Sequence, residues 1–215
     1  MSVMPFFRLY GAVPGSRETA TRLLTHGYVS GVVPGGSEEA MTGHENAYKL
    51  RWVSAHGRPR VGFAHVAKAA RAKIIPSFTV NAEEMKWNPV FWLANKLYLT
   101  RLYDAVATAG IPILSYAVHR IGSLIWFVLA FACGIPVPVK VTLVIGEPID
   151  YDPDADSAEV IAARTKAALE AMMARYQPNG VDYAAAIRAR FSGEGPIEAA
   201  ARRDKEAQAR KRKAH

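Results

Sequence analysis

An α/β fold, with a mostly parallel sheet flanked by helices, is predicted by three observations. Half of the 215 residues are hydrophobic, enough to bury a core. Apolar periodicities of strand, helix and strand length follow one another between residues 28 and 79, the order that places helices on the faces of a parallel layer. The first strand-like run also ends in a glycine loop, Pro34-Gly35-Gly36, as strands of such layers commonly do.

The elements follow in order. Ser16 is positioned to cap a helix through RETATRLLTH, with Glu18 in its first turn and Gly27 as its stop. YVSGVV (28–33) has the β-branched and aromatic content of a strand. GFAHVAKAAR (62–71) puts Phe63, Val66, Ala67 and Ala70 on one helical stripe, and KIIPSFT (73–79) reads as a buried strand interrupted by proline. WNPVFWLANKLYLTRLY (87–103) spaces aromatics and two basic residues along a helix, which suits either an interface or packing on the sheet. VKVTLVIG (139–146) alternates as a strand. Asp156 and Glu159 then offer a capping box for a helix to Tyr176, with Ile161, Ala168, Met172 and Tyr176 inward. Residues 1–192 are thus expected to form one domain, followed by a basic tail at 193–215 that is disordered or a solvated helix.

Lys and Arg total 27 against 19 acids, a net charge of +8, but residues 201–215 alone carry seven basic residues and two acids. The basic character sits mostly in the tail, which suits anionic headgroups or nucleic acid. The tail's lack of aromatics argues against a base-stacking surface, and nucleic acid is not an expected partner. One cysteine, Cys133, excludes an intramolecular disulfide and suits a reducing compartment. No secretory signal is evident at the start. Residues 121–139 carry no charge, and 124–133 are ten consecutive hydrophobic residues, against the roughly 20 that a spanning helix needs. The Gly134-Ile135-Pro136-Val137-Pro138 run breaks the helix, so a buried core helix or a membrane-embedded hairpin is expected.

Among chemical motifs, C-x-x-C, H-E-x-x-H, G-x-S-x-G and a Walker loop are all absent, and the six histidines form no pair at metal-ligand spacing. His65 is the histidine best placed to face a cleft. Arg17 at a helix start, Gly35-Gly36 in a loop and Glu39 beyond it suit a phosphate or polar headgroup, because glycines let backbone amides approach a ligand. An ordinary first-turn arginine, a tight turn and a solvated acid explain the same residues.

Their order in the chain adds to this. GAVPGSRE (11–18), VVPGGSEEA (32–40), RVGFAHVAKAARAKIIPSFTVNAEE (60–84) and VTLVIGEPIDYDP (141–153) resemble the later sequence blocks of the glycerolipid O-acyltransferases. The resemblance is to the branch containing diacylglycerol acyltransferase 2 and transmembrane protein 68, and it departs between about 87 and 138, where this chain carries a longer apolar, membrane-associating insert. It implies an acyltransferase-like domain facing the cytosol on the endoplasmic reticulum membrane. There it would move an acyl group from acyl-coenzyme A, a co-substrate and not a bound cofactor, to a mono- or diacylglycerol hydroxyl. Arg17, Pro34, Gly35, Gly36, Glu39 and Pro76 match positions that look like acceptor and headgroup contacts; no metal is implied. The family's base is a histidine followed four residues later by an aspartate, upstream of GAVPGSRE. Five residues after His26, His44, His56, His65 and His119 stand Gly31, Lys49, Val61, Ala70 and Leu124, so no catalytic residue is assigned here. Two expectations follow: an N-terminally incomplete acyltransferase inactive by itself, or a non-enzymatic, membrane-associated lipid-binding relative.

Overall fold

The computed structural model describes residues 15–35, 47–54, 57–99, 105, 133–193 and 195–213. The chain divides into two compact units. Unit 1 comprises Met1–Thr42, Lys49–Phe78 and Leu143–Arg175; unit 2 comprises Gly43–Tyr48, Thr79–Thr142 and Tyr176–His215.

In unit 1, helix α1 (Arg17–Thr25) begins where the sequence predicts. The Ser16 hydroxyl accepts the Thr19 N–H at 3.1 Å, and Gly27 follows the last turn at φ 82°. Helix α2 (Gly62–Ala70) lies against α1 and ends on Arg71, a non-glycine residue in the left-handed region at φ 50°. Its small residues Ala64 and Ala67 are the buried ones, while Phe63 packs from the side. Ala64 and Ile161 are fully enclosed and form the core with Ala158 and Ala162; Trp52, Val61, Ile74 and Tyr151 close around them. Trp52 meets Phe63 edge to face at 5.8 Å, a favourable aromatic geometry.

The sheet departs from expectation. Strand β1 (Ser77–Val80) follows Pro76, and in chain order come β2 (Lys86–Trp87), β3 (Ile135–Pro136) and β4 (Thr142–Ile145). Among the described residues these make two sheets of two strands, β1 with β4 and β2 with β3. The second is antiparallel, with Lys86 opposite Pro136 and Trp87 opposite Ile135. Beside the first, Ile74 bridges Ile149 in the antiparallel sense, and Gly146 N–H donates to the Pro76 carbonyl at 2.8 Å. The mostly parallel sheet is therefore not the arrangement of the described strands. The reason lies at 28–33: that run forms no strand, and Val29 is 98% exposed. Without it beside β1, the strand–helix–strand crossover has no first member, and β1 pairs with a strand returning in the opposite direction.

Helix α3 (Pro89–Lys96) covers part of the predicted aromatic helix. The long helix α4 (Ala158–Tyr176) buries Ala158, Ile161, Ala162, Thr165 and Met172. Of its predicted inner face, Ile161 and Met172 are buried, and Ala168 and Tyr176 half-buried. Its cap is shifted by one residue from the expected box, because Ser157 Oγ accepts the Val160 N–H at 3.3 Å. Asp156 turns back instead to accept the Asp152 N–H at 2.9 Å.

In unit 2, helix α5 (Tyr183–Ser192) is capped by Asp182, whose carboxylate accepts the Ala185 N–H at 2.9 Å, and stops at Gly193 with φ 73°. The basic tail forms helix α6 (Pro196–Lys213), the helical of its two expected states. Of the apolar run 121–139, residues 121–132 lie outside the described residues. Among the described residues no helix is long and apolar enough to cross a membrane.

Candidate functional site

Two places in unit 1 gather the residues that the sequence singles out. The first is where α1 meets α2. Arg17 is exposed, and its guanidinium lies across the start of α2: a side chain on Gly62 would begin 3.8 Å from Arg17 Nε. Val61, the residue before α2, offers no side-chain cap. A guanidinium next to an uncapped helix start is a positive corner that favours anionic or strongly polar groups. The GSRE run and the RVGFAHV run therefore meet in space. Pro34 is half-buried and Gly35 buried. Gly36 and Glu39, the remaining loop positions, lie outside the described residues.

The second place is an open cleft of about 570 Å³. Pro76, Gly146, Ile149, Ala168 and Met172 give it an apolar floor, and Glu147, Asp150 and Arg164 line it with charge. A Cβ on Gly146 would stand 2.9 Å from Met172 Sδ and 3.1 Å from Pro76 Cγ, so any larger residue would have to push the Met172 side chain and Pro76 aside. Arg164 is held at the rim by three bonds: to the Asp150 carbonyl at 3.0 Å and to the two Asp156 carboxylate oxygens at 2.8 and 3.2 Å. Of the predicted site residues among the described ones, Pro76 enters this cleft, and Arg17, Pro34 and Gly35 do not line it.

A charged seam runs between α2 and the turn before α4. Lys68 donates to the Asp156 carbonyl, and Arg71 holds both Asp154 oxygens at 2.7 and 2.8 Å. Backbone hydrogen bonding from Asp152, joined by Arg164, holds the Asp156 carboxyl below its ordinary range. Glu159 is lowered by its own helix-start N–H and Ser157, with the His65 and Lys68 charges adding to this. His65 is exposed beside this seam and is not enclosed in a cleft. His26 uses its Nδ1 on the Arg22 carbonyl at 2.7 Å, at the end of α1. Among the described residues no histidine is hydrogen-bonded to an aspartate and no group of metal-ligating side chains occurs.

Unit 2 holds a polar cluster that the sequence does not announce. Glu84 is fully buried, and its carboxylate accepts from the Tyr48 hydroxyl, from Gln177 Nε2 at 3.1 Å and from the Asp182 N–H at 2.9 Å. Burial and then the adjacent Glu84 push the Tyr48 hydroxyl far up. Tyr183 is pushed up to about 12 by burial and by the Glu84 and Glu83 charges. Asn81, in the left-handed region at φ 59°, donates from its side chain to the Lys140 carbonyl at 2.9 Å.

The chain is similar to curated proteins named "DGAT1/2-independent enzyme synthesizing storage lipids". It is 33% identical over 172 residues to the one from Gallus gallus, covering 80% of this chain and 42% of that protein. Its identity to the Homo sapiens protein is 30% over 169 residues (79% and 43% covered), and to the Bos taurus protein 28% over 189 residues (88% and 47% covered). The chain thus spans less than half the length of these relatives. No family model matches the chain, and no solved structure matches it.

Proposed function

We propose that the chain is the substrate-positioning portion of a lipid acyltransferase related to the glycerolipid O-acyltransferases, inactive by itself, that works on a membrane surface. The observation that carries this reading is the 33% identity over 172 residues to a storage-lipid-synthesising enzyme, since it runs through four of every five residues here. The geometry supports it in one respect: Arg17 and the start of α2, which come from two separate resemblance blocks, meet in a corner suited to a polar headgroup.

In the proposed reaction the acceptor hydroxyl of a mono- or diacylglycerol attacks the thioester carbonyl of acyl-coenzyme A. The new C–O bond forms as the C–S bond breaks, the hydroxyl proton passes to a base and the thiolate leaves as coenzyme A. An alcohol is a weak nucleophile at neutral pH, so the step needs that base. Among the described residues no histidine bonds to an aspartate, and the proposal leaves that base to residues outside them. Arg17, Pro34, Gly35, Gly36, Glu39 and Pro76 take the part of holding the acceptor. Location on the endoplasmic reticulum, facing the cytosol, belongs to the same proposal.

The test compares residues 1–215 with the same chain preceded by its natural upstream reading frame, supplied with labelled acyl-coenzyme A and diacylglycerol in micelles. Labelled triacylglycerol from the longer protein alone is the expected result. Product from residues 1–215 would overturn the assignment of inactivity. Product from neither, with diacylglycerol still bound, would favour a non-enzymatic lipid binder, the reading to which the missing histidine–aspartate pair points.

A further inference from the structure

Unit 2 turns an unusual amount of aromatic and aliphatic surface outward next to its buried carboxylate. Trp92, Leu93, Leu97 and Tyr98 are between 48% and 62% exposed on α3 and the turn that follows it. Trp87 and Ile135, directly opposite each other in the β2–β3 pair, are 39% and 49% exposed just before and beyond that helix. Trp92 and Leu93 share a helix face with Lys96 and Leu97 respectively, each pair four residues apart. Lys96 places its ammonium 4.9 Å from the Trp92 ring centroid, so the cation rests on an aromatic face at the edge of the apolar patch.

Within the patch the charged residues are lysines, and the exposed Glu83 stands just before it. Between Met85 and Leu99 the sequence has two lysines and no acid, and between residues 85 and 146 it has five basic residues against the single Asp104. Tryptophan and tyrosine bodies, with lysines at their tips, match the boundary between acyl chains and anionic headgroups, where a ring can be half apolar and half wet.

We infer that α3 and the β2–β3 pair form an interfacial docking face for an anionic lipid surface, with Trp92, Leu93 and Leu97 entering the headgroup–acyl boundary and Lys86 and Lys96 meeting headgroups. This rests on the proposed lipid-acyltransferase reading and adds to it the surface by which the protein lies on its substrate-bearing membrane. The helix lies along the interface; eight residues cover about 12 Å, too short to cross.

The experiment uses the full chain with Trp92 as its only tryptophan (Trp52→Phe, Trp87→Phe, Trp126→Phe) and vesicles of phosphatidylcholine with phosphatidylserine. Lipids brominated near the headgroup or at the acyl-chain end serve as quenchers. Shallow bromines are expected to quench Trp92 more than deep ones. Trp92→Glu combined with Leu97→Glu, checked for unchanged circular dichroism, should lower vesicle partitioning about tenfold or more, as loss of two anchoring side chains implies. Raised salt should weaken binding further. Unquenched Trp92 on vesicles that still hold the chain would overturn the inference and leave the acyltransferase reading standing, since another segment would then be docking. Trp92 shielded without lipid, in a monomer by its own chain or in a dimer by a second copy, would also overturn it. Failure of the acyl-transfer assay with Trp92 quenched as expected would overturn the enzymatic reading alone.

Discussion

Units 1 and 2 solve the burial of polar groups in opposite ways. In unit 1 the fully enclosed residues are alanines and Ile161. Thr165 bonds to its own helix at 2.8 Å, and the charges sit in a seam of lysine, arginine and acid at the surface. Unit 2 buries Asn81, Glu84 and Asn88 and turns tryptophan and leucine outward. A buried carboxylate is tolerable only when donors surround it, and Glu84 draws three donors from two separate stretches of chain. The difference teaches that unit 2 encloses a hydrogen-bonded carboxylate where unit 1 keeps its ion pairs at the surface; both leave apolar side chains exposed, Val29 and Val33 in unit 1, Trp92 and Leu97 in unit 2.

The strongest challenge to this contrast is Glu84→Ala. It removes the acceptor of the Tyr48 hydroxyl, Gln177 Nε2 and the Asp182 N–H from a part-buried cluster, at a cost of about 2–4 kcal/mol. Hydrogen exchange should show the amides of α5 losing protection while those of α2 keep theirs; equal loss in both would erase the distinction. Gly146→Ala probes unit 1 in the same manner. Its methyl would press on Met172 and Pro76, costing about 1–3 kcal/mol and narrowing the cleft, which a lowered urea midpoint with an unchanged slope would register.

Titration sharpens the comparison. Asp156 and Glu159 are held below their ordinary values of 3.8 and 4.5, so what they contribute to unit 1 is complete above that range and disappears as pH falls through their depressed values. Tyr48 and Tyr183 are raised, so unit 2 keeps their contribution up to pH 10; that of Tyr183 is lost as pH climbs through about 12, and that of Tyr48 only at still higher pH. Burial raises Tyr151 in unit 1 as well, without a carboxylate partner. Exchange profiles at both extremes should therefore show α4 loosening first in acid and α5 first in alkali. The smallest effect belongs to Asp154→Ala, because its pair with Arg71 is exposed on both sides; the midpoint should move by less than about 1 kcal/mol.

Features set by neighbouring residues were legible in the sequence. The Ser16 cap, the Gly27 stop, the α2 stripe to within one position and the inward Ile161 and Met172 follow from spacing alone. Pro76, expected at the site from the resemblance, lines the cleft with Gly146, whose Gly-Glu-Pro run was the available signal for the cleft's other wall. Pairing across long separations was not legible. Residues 28–33 have strand composition but form no strand, because composition cannot supply a neighbour. Glu84 reads as a solvated acid in AEEMK, and its burial depends on residues 36, 93 and 98 positions away. The α4 cap moved from Asp156 to Ser157 because Asp156 is already engaged with Arg164 and the Asp152 N–H.

The bare run at 28–33 also decides how the chain can be handled. Val29 and Val33 stand 98% and 75% exposed in a stretch with no charge and no proline, the composition from which cross-β stacking starts. Such a strip favours self-association as concentration rises, and Val29→Lys is expected to reduce it, read as lower light scattering at equal concentration.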